Sequence, residues 1–140
     1  MFKVFASCLV AAALSLGMTG ISAPAYAAGD AAKGKKVFNK CRACHKVVAG
    51  KKAVGPNLNG MFGRKAGTLE GFKFSKDMKA AGEKGLVWND ENFLEYMANP
   101  KAYIGSKIGK KKAKTRMAFN GLKKAKDREN LLAYLKEATK

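Results

Sequence analysis

Few imidazole and thiol side chains are available in this sequence to bind a metal. Its 140 residues include one histidine, His45, and three cysteines, Cys8, Cys41 and Cys44. A zinc site needs about four ligands, and Cys8 lies apart from the other donors in an early apolar run. With a single histidine, two imidazoles of one chain cannot bind the same metal. Cys41 and Cys44 share one short motif, so no structural disulfide between distant segments is expected.

Acidic residues are also scarce. The chain has 10 Asp and Glu against 28 Lys and Arg, a formal net charge of +18. A surface of this charge repels copies of itself and attracts acidic partners, so we expect a monomer. Nucleic acid is a rival partner on charge alone. Because no nucleic-acid-binding module is recognisable and the chain begins like an exported protein, we expect no nucleic-acid partner.

The first 27 residues resemble a secretory signal peptide. Lys3 precedes an uncharged apolar run from Val4 to Met18, and Ala25-Tyr26-Ala27 fits a small-x-small cleavage site. The run is short for a membrane span of ~20 residues, although an uncleaved anchor remains the alternative. We therefore expect residues 1–27 to be removed and residues 28–140 to form one small, soluble, periplasmic domain.

The segment Cys41-Arg42-Ala43-Cys44-His45 carries the strongest chemical signal. Two thiols three positions apart, followed directly by an imidazole, are typical of covalent c-type haem attachment. On a helix, Cys41 and Cys44 share a face, so both sulfurs can reach one edge of a flat macrocycle. The alternatives are a chance match, a thioredoxin-like redox pair and half of a zinc site. The spacing favours one covalently bound haem c, with His45 as a ligand of its iron.

The periodicity predicts an all-α protein. Asp30 is suited to cap a first helix that ends with residues 41–45, the Cys/His motif. Ser75 is suited to cap a short helix that stops near Gly82 and Gly85. Residues 47–71 are glycine-rich without a sustained period, which predicts a long ordered loop wrapped on a cofactor.

Two more helices are predicted in the second half. Asn89 precedes a helix that Asn99-Pro100 should end. Asp127 is suited to cap the last helix. The buried side of that helix is marked by Leu131, Leu132, Leu135 and Ala138.

Read together, motifs along residues 29–139 resemble the class I c-type cytochromes, near mitochondrial cytochrome c and especially bacterial cytochrome c2. The order and spacing of the motifs agree with that family in both halves. In the first half, besides the Cys/His motif, they are Gly29-Asp30, Gly34-Lys35-Lys36-Val37-Phe38, Gly55-Pro56-Asn57-Leu58, Phe62-Gly63-Arg64-Lys65 and Gly71-Phe72. In the second half they are Trp88, Glu95-Tyr96-Met97, Asn99-Pro100-Lys101, Tyr103, Thr115-Arg116-Met117-Ala118-Phe119 and Ala133-Tyr134-Leu135-Lys136.

The resemblance implies a small domain of about four to five helices around one haem c joined to Cys41 and Cys44. It also implies His45 and Met117 as the two iron ligands. Composition agrees, since no second histidine exists and Met78 and Met97 lie in predicted helices, where core packing is expected. Met61, in the long loop, and lysines near Met117 at high pH remain alternative donors.

Further roles follow from the resemblance by position. The Pro56 carbonyl should accept the ring N–H of His45, and Tyr96 should approach the Met117 sulfur. Arg64, Trp88 and Thr115 are expected to neutralise or hydrogen-bond the haem propionates. For Trp88, simple core packing is a compatible alternative. Gly34, Phe38 and Tyr134 match a close crossing of the first and last helices.

The chain departs from the mitochondrial pattern in two places. Phe74 and Met78 stand where a tyrosine and an asparagine are common, so part of a polar network beside the inner propionate is missing or rebuilt. The segment Gly105 to Lys114 contains extra residues and resembles the longer loop of cytochrome c2.

With two axial ligands, the iron has no open position, and the expected function is one-electron transfer without enzymatic activity. The resemblance implies a shuttle from a bc1-type quinol-cytochrome c reductase to a cytochrome oxidase or photosynthetic reaction centre. A haem sensor, a peroxidase-like enzyme and a thiol-disulfide enzyme are the alternatives.

Residues 96–126, the basic segment, contain no acid and are expected to dock on acidic faces of these membrane complexes. A merely solvated, repulsive surface is the alternative. The basic residues of the segment are Lys101, Lys107, Lys110, Lys111, Lys112, Lys114, Arg116, Lys123, Lys124 and Lys126.

Overall fold

The structure, a computed structural model, describes residues 28–140, and the predicted signal peptide lies outside the described residues. Its elements are five α-helices: α1 (Ala31–Phe38), α2 (Lys76–Glu83), α3 (Asp90–Ala98), α4 (Pro100–Lys107) and α5 (Ala125–Ala138). Within the described residues, the one strand-like feature is an isolated antiparallel bridge between Lys65 and Val87. The predicted all-α class is confirmed. None of these five helices has the length and apolar character needed to cross a membrane.

The crossing of α1 and α5 forms the framework of the domain. A Cβ atom added to Gly34 would lie 1.9 Å from the backbone oxygen of Asn130, so the two helices approach more closely than any larger residue permits. Phe38 and Tyr134 pack with their ring centroids 5.3 Å apart. The predicted contact of the first and last helices is confirmed.

Most helices begin where the sequence predicts. The side chains of Asp30, Ser75 and Asn89 accept hydrogen bonds from backbone N–H groups in the first turns of α1, α2 and α3. Asn99 ends α3 and also caps α4, with Pro100 as the first residue of the new helix. Proline is well suited to that position, because its missing N–H would have had no partner inside the helix.

The start of α5 differs from the prediction. The helix begins at Ala125, after Lys124, and Asp127 lies in its first turn instead of capping it. The prediction of Asp127 as the cap was therefore wrong. A carboxylate stabilises the positive end of a helix from its first turn as well as from the cap position, so the sequence alone does not distinguish the two.

The loop between the Cys/His motif and α2 is held by backbone hydrogen bonds to distant segments. The N–H of Gly60 donates to the carbonyl of Thr139, at the end of α5, over 2.8 Å. The N–H of Ala66 donates to Leu86 O, also over 2.8 Å. The predicted long ordered loop is present, and it encloses a cavity against the helices.

Candidate cofactor site

The centre of the domain is a cavity of about 690 Å³. Its volume lies in the range of small-molecule and cofactor sites. Phe38 of α1, Phe93 of α3, Leu131 and Leu135 of α5, and several loop residues line it, so its wall is largely apolar. In so small a domain, a large apolar cofactor in this space would complete the hydrophobic core.

The Cys/His motif forms one wall of the cavity. Helix α1 ends at Phe38, before the motif, so the prediction that the first helix ends with the motif was wrong. The motif continues in helical turns, in which the N–H groups of Cys44 and His45 both donate to Cys41 O, over 3.0 and 2.9 Å. Cys41, Cys44 and His45 all line the cavity. The continued helical winding thus keeps both sulfurs and the imidazole beside the same space.

Cys41 and Cys44 form no disulfide with each other, and burial raises the pKa of Cys41. A reactive redox cysteine needs the opposite shift, because the thiolate is the nucleophile. Among residues 28–140, no three His, Cys, Asp or Glu side chains form a group suited to a metal ion. The raised pKa of Cys41 therefore does not favour a reactive thiol, and the described residues bring no third His, Cys, Asp or Glu ligand to this pair for zinc.

His45 has a fixed ring orientation. Its Nδ1 lies 2.8 Å from the carbonyl oxygen of Pro56. A carbonyl only accepts hydrogen bonds, so Nδ1 carries the proton and Nε2 is left with a free lone pair. The contact expected from the resemblance is present, and it is the arrangement that a metal-binding histidine requires.

Gly55 is a positioning residue that the sequence analysis did not identify. Its N–H donates to Cys44 O over 2.7 Å, and an added Cβ would lie 2.8 Å from His45 Cε1. Only glycine lets the loop pass this close to the imidazole. Its place in the Gly55-Pro56-Asn57-Leu58 motif was the available signal.

Met117 lines the cavity on the basic segment. The Tyr96 hydroxyl donates to its sulfur over 3.9 Å. Burial raises the pKa of Tyr96 far above its ordinary value, so the phenol keeps the proton that it donates.

Three other methionines, Met61, Met78 and Met97, also line the cavity, and all three are buried in the hydrophobic core. Met117 is only partly buried, at the edge of that core, and receives the Tyr96 contact. This contact distinguishes Met117 from Met61, which the sequence left as an alternative.

Arg64 brings a positive charge to the cavity wall. Its guanidinium donates to the backbone oxygens of Asn59 and Asn57 over 3.2 and 3.3 Å, and burial lowers its pKa. Within the described part of the chain, no carboxylate pairs with it. A partly buried cation with neutral partners fits an anionic group such as a propionate.

Trp88 and Thr115 also line the cavity, with different contacts. Trp88 packs edge-on against Tyr96, with centroids 4.9 Å apart, which agrees with core packing. The Thr115 hydroxyl donates to Met117 O over 3.2 Å, a bond that the resemblance did not imply. This bond constrains the backbone beside the Met117 side chain.

Phe74 and Met78 make the wall beside α2 apolar. Both line the cavity, and Phe74 packs against Phe72 with centroids 4.7 Å apart. The predicted loss of polar groups in this region agrees with these contacts. Two thiols, an imidazole with a free Nε2, a thioether, a guanidinium and an apolar enclosure together fit a covalently attached haem.

Comparisons with known proteins show which chains this one is similar to. The sequence pattern described as Cytochrome c matches residues 31–139. The chain is 51% identical over 106 residues to cytochrome c2 of Afifella marina, covering 75% of this chain and 79% of that one. It is 44% identical over 130 residues to cytochrome c-551 of Roseobacter denitrificans, covering 88% and 91%. The solved structure of cytochrome c2 from Rhodospirillum centenum superposes with a TM-score of 0.73 at 40% identity, covering 80% of this chain and all of that one.

Proposed function

Since the chain belongs to the cytochrome c family, it is an electron-transfer protein with covalent haem c on Cys41 and Cys44, and we propose that it is a soluble periplasmic carrier between membrane-bound redox complexes. The observation that carries the proposal is one apolar cavity lined by the two thiols, His45 and Met117. These groups would supply two covalent attachment points and two iron ligands without any further residue.

We assign His45 and Met117 as the iron ligands. The haem supplies an iron that alternates between Fe(III) and Fe(II). The Pro56 carbonyl holds the His45 ring and makes Nε2 a better donor. Tyr96 donates toward the Met117 sulfur, which would weaken the sulfur as a donor to Fe(III) and favour Fe(II) when the haem is bound.

The remaining site residues control charge and water. Arg64 is placed to neutralise a propionate, and Trp88 fills the wall against Tyr96. The Thr115 hydroxyl donates to the Met117 carbonyl and so constrains the backbone of the proposed ligand. The apolar lining limits the water that would have to reorganise around the changing charge. With His45 and Met117 both bound to the iron, sensor and peroxidase-like chemistry would be disfavoured.

The proposed docking surface is the basic segment. All ten of its Lys and Arg residues are exposed, and the same segment brings Thr115, Arg116, Met117 and Ala118 to the cavity wall. Positive charge beside the redox site would steer acidic faces of a bc1-type reductase, a cytochrome oxidase or a reaction centre to the haem edge. The carrier docks on these complexes peripherally, as a monomer.

Intact mass and cell fractionation test the proposed processing. We expect the periplasmic fraction to contain a protein that begins at Ala28 and retains one haem after acid-acetone extraction. A protein of full length in the membrane fraction would instead support the uncleaved anchor.

A reconstituted chain tests the shuttle itself. Membranes that contain a bc1-type reductase and an oxidase, stripped of soluble carrier, should regain quinol-dependent oxygen consumption when the purified holoprotein is added. The apoprotein with both cysteines replaced, Cys41→Ala with Cys44→Ala, is the control that should restore nothing. If the holoprotein is reduced but passes no electron to any membrane acceptor, the proposal is contradicted.

A further inference from the structure

Asp77 of α2 is a buried carboxylate that contacts the basic segment. Its side chain is 10% exposed. Oδ1 accepts a hydrogen bond from Lys110 Nζ over 2.6 Å, and Oδ2 accepts one from the backbone N–H of Lys114 over 2.7 Å. Among the described residues, it is the one buried carboxylate. Both oxygens are thus used to hold the segment that leads to Met117.

The stretch between α4 and Met117 has few other polar attachments. The N–H groups of Ile108 and Lys110 donate to Gly105 O over 3.1 and 2.8 Å, and the N–H of Ala113 donates to Lys101 O over 2.9 Å. These three bonds fasten the stretch to α4, and the buried side chain of Ala113 packs in the core. The Asp77 contacts are the polar ones that fasten it to α2.

Helix α2 is itself part of the cavity wall. Met78, the neighbour of Asp77, lines the cavity and is buried. Lys114, which Asp77 holds through its backbone, is only three residues before Met117. The carboxylate therefore connects the wall of the cofactor site with the backbone that carries the sulfur ligand.

We propose that Asp77 is a positioning residue that holds Met117 at the iron. This inference rests on the proposed assignment of Met117 as a ligand. The Asp77 tie, meaning its contacts with Lys110 Nζ and the Lys114 N–H, orders the backbone before Met117. Binding of the Met117 sulfur to the iron then costs less conformational entropy. Without the tie, the sulfur competes less well with any other donor.

The tie also restrains two competing donors. Lys110 and Lys114 are the charged groups that face Asp77 from the basic segment, while Lys76 and Lys79 belong to its own helix. In the structure, the Lys110 amine is engaged by Oδ1. Removing the carboxylate frees this amine and loosens Lys114, so lysine ligation at high pH becomes easier.

Competition by added imidazole tests the inference. In the ferric holoprotein, imidazole that displaces Met117 abolishes the weak far-red sulfur-to-iron band, and the titration gives a dissociation constant. We expect Asp77→Asn to bind imidazole about tenfold more tightly than wild type, the change that corresponds to one lost charge-assisted hydrogen bond. Amide exchange at Lys114 should accelerate in the same variant.

Asp90→Asn is the matched control. It also removes one acid that pairs with a lysine, since Asp90 Oδ2 lies 2.8 Å from Lys136 Nζ, but this pair joins α3 to α5. Its imidazole affinity should stay within about twofold of wild type. If Asp77→Asn gives no holoprotein, Lys110→Ala, which changes an exposed side chain and leaves the Lys114 bond, should still tighten imidazole about threefold.

Equal imidazole affinity in Asp77→Asn and wild type would overturn the inference. The inference would also be overturned if Asp90→Asn tightened imidazole binding as much as Asp77→Asn. Where Lys110→Ala is measured instead, an unchanged imidazole affinity would overturn it. A wild-type protein without the far-red band would overturn the assignment of Met117 itself, an outcome that the spectrum shows before any variant is made.

Discussion

At the scale of single residues, the chemistry of this protein depends on which atom each side chain presents to the cavity. The bond from Nδ1 of His45 to Pro56 leaves Nε2 as the free nitrogen, and the Tyr96 contact singles out one of four methionines. Both selections are made by neighbours that are distant in sequence. The residues that bind and the residues that orient them are therefore separate sets.

Exchanging Met117 for leucine tests the assigned sulfur ligand. In Met117→Leu we expect the far-red band to disappear and the ferrous protein to bind carbon monoxide stoichiometrically, because an axial position becomes open. The reduction potential should fall. Absorption spectra and a redox titration measure these changes.

Met61→Leu is the matched control for this exchange, since Met61 also lines the cavity but is buried in the core. It should keep the band and remain insensitive to carbon monoxide. A loss of the band in Met61→Leu, with Met117→Leu unchanged, would reverse the assignment.

Much of the candidate site was predictable at this scale because residue types and their spacing in the sequence indicate its chemistry. The Cys/His motif is local, so Cys41, Cys44 and His45 could be grouped from the sequence. Gly55 and Asp77 were missed because their roles depend on atoms that only the fold brings close, the His45 ring and the Lys114 backbone. The Thr115 bond was missed for the same reason.

At the scale of elements, side-chain caps fixed most helix starts, and tertiary contacts determined the rest. Asp30, Ser75 and Asn89 bind their own first turns, so local sequence sufficed. The start of α5 at Ala125 has no side-chain cap, and the sequence offered Asp127 in its place. Helix α4 was not predicted separately, because Asn99-Pro100 marks an end and a beginning equally well.

The α1–α5 crossing makes Gly34 the most sensitive position of the framework. The methyl group of Gly34→Ala would collide with the Asn130 backbone, so the helices must separate. We expect the free energy of unfolding to fall by about 1–3 kcal/mol. Urea unfolding of the holoprotein measures it.

Lys35→Ala, at an exposed position of the same helix, is the control and should change stability by less than about 0.5 kcal/mol. Equal stability of Gly34→Ala and wild type would show that the crossing is looser than described.

The stabilisation that Asp77 provides by joining α2 to the basic segment should depend on pH. The Lys110 and Lys114 contacts hold the pKa of Asp77 below its ordinary value of 3.8. Because the folded pKa is the lower one, the stabilisation by Asp77 is fully present well above the ordinary value of 3.8 and is lost as the pH falls through the folded pKa. The difference in unfolding free energy between wild type and Asp77→Asn should therefore shrink in acid. A difference that stays constant from neutral pH into strong acid would contradict this account.

At the scale of the whole molecule, the uneven distribution of charge is the basis of the proposed docking. Ten of the 28 Lys and Arg residues lie in the basic segment, which has no acid of its own and contributes to the cavity wall. This property was evident from the sequence, since charge runs need no tertiary information. That the segment adjoins the cavity is a result of the fold.

Ionic strength tests the role of this charge. The second-order rate of electron transfer with a membrane acceptor should fall as salt rises, because screening removes the attraction between a basic and an acidic face. Lys112→Glu should lower the rate at low salt about three- to tenfold. Lys84→Glu, at the end of α2 and outside the basic segment, should lower it less. A rate that is independent of salt would rule out electrostatic steering.

Visible absorption tests most directly the claim that the protein is a closed carrier, in which His45 and Met117 both bind the iron of a covalently attached haem. Spectra of the oxidised and reduced holoprotein should be recorded before and after carbon monoxide. We predict a sharp low-spin reduced spectrum, a weak far-red sulfur-to-iron band in the oxidised form and no response to carbon monoxide. A shift of the reduced spectrum on addition of carbon monoxide would contradict the claim, because it would show an iron position that Met117 does not occupy.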